Sequence, residues 1–100
     1  MAAELREPVN LPRFEPPDWF LSIRRQNRIE ASYHHPLYAP TAGLILDLLN
    51  ATGGNPAAVA INLGVSTTTV IRFLEEESLF WTAANRIRAG LGMPALTHRH

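Results

Sequence analysis

The sequence predicts an all-α domain of about four to five short helices behind an extended, proline-rich N-terminal arm. Three observations predict it. From Leu44 onward apolar residues recur at helical spacing, not in strict alternation. Asn55-Pro56 and Ser66 are two helix starts, with Gly64 between them where a chain must leave a helix. Residues 1–17 hold Pro8, Pro12, Pro16 and Pro17, which favour extended backbone and deny it a regular hydrogen-bond ladder.

The elements follow in chain order. Residues 1–17 form the arm, with Val9, Leu11 and Phe14 available to dock on a neighbour. Asp18 is placed to cap a first helix from Trp19 to about Ser32. Phe20, Ile23 and Asn27 follow one face of it, with Trp19 beside them, and Arg24, Arg25 and Arg28 occupy the other. Residues 33–40 are a linker, because Pro36 and Pro40 disfavour helix before them. Thr41 caps a second helix ending near Ala51, with Leu44, Ile45, Leu48 and Leu49 inside and Asp47 and Asn50 toward water. Gly53 and Gly54 terminate it.

Asn55 caps the next helix and Pro56 takes its first position, where a missing N–H costs nothing. Val59, Ala60 and Leu63 form its apolar stripe. Gly64 supplies positive φ, Val65 points inward, and Ser66 caps a further helix whose inner face is Val70, Phe73 and Leu74. Small and apolar residues at these distances from a turn glycine let two helices cross closely, the helix-turn-helix signal, here at 55–77. Ser78 caps a last helix in which Phe80, Ala84, Ile87 and Leu91 repeat, with Arg86 and Arg88 lateral. Gly90, Gly92 and Met93-Pro94 end it. The helical domain thus covers 18–94, and 95–100 is a flexible tail.

Composition narrows the function classes. One hundred residues permit one small domain, and such a chain buries only about 60–65% of its unfolded surface, so dimerisation would add stability. Cysteine is absent, which removes disulfides and thiolate metal sites. No basic region followed by an apolar run marks a secretory signal, and no stretch approaches the ~20 apolar residues of a membrane span, so the cytoplasm is the expected compartment. Net charge is zero, which argues against strong indiscriminate nucleic-acid binding. All nine basic residues are arginine, a bias that a GC-rich genome also produces.

The 52–77 stretch resembles the Fis-type helix-turn-helix. Thr52, Gly53, Gly54, Asn55, Leu63, Gly64, Ser66, Thr69 and Val70 stand in register with that family, and its second alanine falls at Ala60. The run from Leu44 to Leu96 is also similar to the helical C-terminal extension of bacterial peptide-chain-release-factor-like proteins. There a helix-turn-helix precedes an Ala/Asn/Arg-rich helix and a Leu-Gly-x-x-Pro-Leu-like end. The first resemblance implies DNA binding in transcriptional or nucleoid control by a homodimer. The second implies an RNA- or ribosome-associated helical adaptor. Departures from the Fis-type pattern are Thr67, Phe73 and Glu75, each where that family commonly carries a basic residue. Gly53-Gly54 leads into Asn55, not glutamine, so the release-factor hydrolytic tripeptide is missing.

With Val70 and Leu74 inward, the outward surface of the recognition helix is Ser66, Thr67, Thr68, Ile71, Arg72 and Glu75. Hydroxyls reach phosphates or either base type, and Arg72 is suited to a guanine or a phosphate. Candidate phosphate contacts are Asn55 and the cluster Arg24, Arg25 and Arg28. A plain solvated face is the simpler account of that cluster. Glu75, Glu76 and Glu77 would repel phosphate if they faced it, which leaves a protein-interaction domain without DNA binding as the remaining alternative. Phe73 has a packing account against Phe80 or Trp81. No enzyme activity is expected: Asp18 and Asp47 serve a cap and a solvent face, and no nucleophile motif or phosphate-cradling glycine loop occurs. Neither a cofactor nor a metal is expected, since His34-His35 point to opposite sides of an extended chain and His98 and His100 lie in the tail.

Overall fold

Tyr38–Ala51 carries the centre of the molecule, because Ala42, Ile45, Leu48 and Leu49 on one side of it are fully buried. The computed structural model describes residues 14–31 and 34–96. In chain order the elements are α1 (Asp18–Leu21), an antiparallel hairpin of β1 (Arg24–Arg25) and β2 (Arg28–Ile29), α2 (Tyr38–Ala51), α3 (Pro56–Leu63), α4 (Thr67–Glu75) and α5 (Ser78–Gly90). Helix α2 packs against α3, α4 and α5, and β2 packs against α4. Val59, Leu63, Val70 and Leu74 complete the core, each fully buried side chain contributing about 1.5–3 kcal/mol. Among the described residues no single helix is long and apolar enough to cross a membrane.

The chain is mostly helical, but the helix expected over 19–32 is a single turn followed by the hairpin. At helical spacing Ile29 falls opposite Phe20 and would face water. The hairpin instead buries Ile23 and Ala31 and half-buries Ile29, all packed into the same core as Phe20. The turn is Gln26-Asn27, with Gln26 at φ 57°, and the register pairs Arg24 with Ile29 and Arg25 with Arg28. Asp18 is not the cap of α1; it is the first helical residue, after Pro17.

The expected linker over 33–40 ends earlier than its prolines imply. Helix α2 begins at Tyr38, and Pro40 sits in its first turn, where no N–H partner is required. His35 shapes the approach, its Nδ1 accepting from the Leu37 amide at 3.0 Å and its carbonyl from the Tyr38 amide at 3.0 Å. Thr41 is therefore not a cap. It lies inside α2, fully buried, and its hydroxyl has no hydrogen-bond partner. Tyr38 joins the aromatic core: its ring lies 4.7 Å from Phe73 and 5.5 Å from Phe80. Phe73 is held against the last helix through this ring.

Glu77 caps α5 by accepting from the Leu79 amide at 2.9 Å, so Ser78 is a helical residue. Leu91, expected on the inner face, is exposed, and Arg88 is buried there instead. The chain turns back at Gly92 (φ 77°) and covers Arg88. Arg88 donates Nε to the Pro94 carbonyl at 2.8 Å and Nη1 to the Gly54 carbonyl. Gly54 itself has φ 84°, and a Cβ there would stand 3.2 Å from the Arg88 Cγ. Part of the expected tail is docked: the Leu96 amide donates to Asn85 Oδ1 at 2.6 Å, and Leu96 packs on the core. In the arm, Phe14 packs on the chain's own core. Val9, Leu11, Tyr33, His98 and His100 lie outside the described residues.

Candidate functional site

Helices α3 and α4 meet at 108°, and local chemistry alone accounts for the corner. Asn55 Oδ1 accepts from the Ala57 and Ala58 amides, starting α3 at Pro56. Gly64 adopts φ 73°, ψ 32°, and the Val65 amide reaches back to the Ala60 carbonyl at 3.0 Å, closing α3 with a left-handed cap. Val65 is buried, and Ser66 Oγ accepts from the Thr69 amide at 3.1 Å, starting α4.

Val70, Ile71, Phe73 and Leu74 of α4 are buried. Ile71 therefore does not belong to the outward surface; the buried arc of α4 is wide enough to include it. Within α4 Arg72 alone is exposed; Thr68, one turn before it on the same side, is half-buried. Ser66, Thr67 and Glu75 are half-buried. Of the acidic run only Glu76 is fully on the surface, since the Glu77 carboxylate is spent on the start of α5.

The hairpin is fastened to this corner. The Asn27 carbonyl accepts from the Ser66 amide at 3.3 Å and from Thr69 Oγ1 at 2.7 Å. Arg24 Nη1 donates to the Leu63 carbonyl at 3.1 Å. This bond occupies Arg24 in holding the corner. Gly64 makes room for it, because a Cβ at that position would collide with the Arg24 guanidinium. Asn55 likewise commits its Oδ1 to the cap. Arg25 and Arg28 remain exposed.

An open cleft of about 150 Å³ separates β2 from α4. Arg28, Thr69, Arg72 and Glu76 form its rim, over Ile29 and Phe73. Two arginines that lie 44 positions apart in sequence (72 − 28) thus share one surface. Their juxtaposition, and the roles of Asn27 and Thr69 in producing it, were not visible as a site in the sequence. Asn27, a turn-favouring residue inside the arginine cluster, was the one local signal. Among the described residues no three His, Asp or Glu side chains gather as a metal site. No protein-family model, curated protein or solved structure matches this chain.

Proposed function

We propose that this protein binds double-stranded DNA, with α3, the Gly64 turn and α4 acting as a helix-turn-helix of Fis type and α4 entering the major groove. The observation that carries the reading is the exposed Arg72 one turn beyond Thr68, on the single face of α4 that the core leaves open. The capped 108° corner supports it, since two short helices set across each other present the second to a groove. Thr67 and Thr68 supply hydroxyls near the helix start, where this motif contacts base edges. One such unit makes few contacts, so the binding species is a homodimer in transcriptional or nucleoid control.

A second reading, a protein-interaction domain with no DNA surface, is favoured by Glu76 on the cleft rim and by Ile61, which is 80% exposed on α3. Binding of the full chain to selected and random duplexes across a salt series separates the two. Arg72→Ala should weaken specific binding by about 1–3 kcal/mol and relax preference at one base pair if Arg72 contacts a base. If Arg72 contacts phosphate, binding should fall evenly and the salt slope should drop by about one. An Arg72→Ala variant that binds like the parent contradicts the recognition-helix role. A parent that binds structured RNA but no duplex at low salt supports the adaptor alternative, and one that binds neither supports the protein-interaction reading.

A further inference from the structure

The β1–β2 hairpin has an arrangement that folding alone disfavours. Its register sets Arg25 directly across from Arg28, and like charges in directly opposed antiparallel positions destabilise a sheet. Cross-strand partners project from the same side of a sheet, so these two guanidinium groups stand on one face. Arg28 also borders the cleft that Arg72 borders from α4. Arg28 thereby stands beside Arg25 across the hairpin and beside Arg72 across the cleft, three cations from three elements, with Glu76 the acidic residue on the cleft rim.

The hairpin is also held in place. Asn27 ties its turn to Ser66 and Thr69 at the start of α4, and Arg24 ties β1 to the end of α3. Of the arginines in the hairpin, one is the fastening and the other two are exposed. A pair of exposed, like-charged, fork-shaped donors on a fixed support matches anionic oxygens, which guanidinium binds bidentately.

We propose that the hairpin is a second DNA-contacting element, in which Arg25 and Arg28 hold backbone phosphates beside the groove that α4 enters. The proposal rests on the DNA-binding reading above and assigns a division of labour within it. Helix α4 carries sequence preference through Arg72, and the hairpin carries sequence-independent affinity through phosphate.

The test is a salt-series binding measurement of the full chain on a selected and a random duplex, with Arg25→Ala/Arg28→Ala and Arg25→Lys/Arg28→Lys. The alanine pair should lower affinity for both duplexes by the same factor and reduce the slope of log K against log salt by about two. The ratio of selected to random binding should stay at the parent value. The lysine pair should keep the parent slope, because each lysine retains its charge toward phosphate. A parent that binds while the alanine pair keeps its affinity and slope overturns the hairpin role and leaves α4 intact. A lysine pair that loses as much slope as the alanine pair also overturns it, since the loss is then one of structure. A change in the selected-to-random ratio in the alanine pair overturns the division of labour. A parent that binds no duplex, or only structured RNA, overturns both the hairpin role and the reading beneath it.

Discussion

The corner between α3 and α4 and the β1–β2 hairpin lie against each other but satisfy their polar groups in opposite ways. The corner is self-sufficient. Asn55, Gly64 and Ser66 close its helix ends with bonds that span at most five residues. The hairpin depends on its neighbour, with Arg24 and Asn27 finding partners 39 and 42 residues away. A two-stranded hairpin is marginal in water by itself, so this one exists because α4 offers it a surface. The difference teaches that the corner is the template and the hairpin is the fitted part. Damage to the corner should therefore reach the hairpin, while damage to the hairpin should stop there.

The largest expected effect lies beneath both regions. Phe73 is buried in α4, stacks on Tyr38 and floors the cleft. Phe73→Ala should destabilise the fold by about 3–5 kcal/mol in a denaturant titration and loosen corner and hairpin together. Next is Gly64→Val, which forces a β-branched residue to φ 73° and displaces the Arg24 guanidinium. A cost of about 1–3 kcal/mol is expected, and an unchanged melting temperature would break the account of the turn.

A smaller change should separate the regions. Thr69→Val removes the bond to the Asn27 carbonyl and the hydroxyl contact with Ser66 Oγ, at a cost of about 0.5–1.5 kcal/mol for each. The Thr69 amide still donates to Ser66 Oγ and keeps the start of α4 capped. Amide exchange of Glu30, bonded to the Ile23 carbonyl within the hairpin, should accelerate, and that of Val65, bonded to Ala60 in the corner, should not. Equal acceleration at both sites would break the asymmetry. Smallest is Thr41→Val in α2. Its buried hydroxyl has no partner, so the near-isosteric apolar residue should be neutral or stabilising, by up to about 1 kcal/mol in the same denaturant titration.

The same contrast decides what was legible beforehand. Asn55, Pro56, Gly64 and Ser66 act through neighbours within a few positions, and their roles follow from residue type and spacing. The inner faces of α3 and α4 follow from helical periodicity for the same reason. Arg88 was unreadable because its carbonyl partner at Gly54 is 34 residues away, and an arginine in an amphipathic helix defaults to the solvent side. The hairpin reads as helix in the sequence because Phe20, Ile23 and Asn27 fit a helical stripe, while burial of Ile29 becomes worthwhile only once α4 is in place. Tyr38 was hidden by Pro40, whose restriction lapses in the first turn of a helix. Ile71 shows the limit of a one-stripe reading, since four of the nine residues of α4 are buried. For the candidate site, the residue types were readable but their convergence was not.

The central claim is that the outward face of α4 and the hairpin form one DNA-binding surface. Amide shift mapping of the full chain against a short duplex at low salt tests it most directly. The account predicts the largest changes at Thr67, Thr68 and Arg72 together with Arg25 through Arg28, and little change along α2 and α5. Changes centred on Ile61 and Leu79, the most exposed large apolar residues among the described residues, or no change at any ratio of duplex to protein, would contradict it.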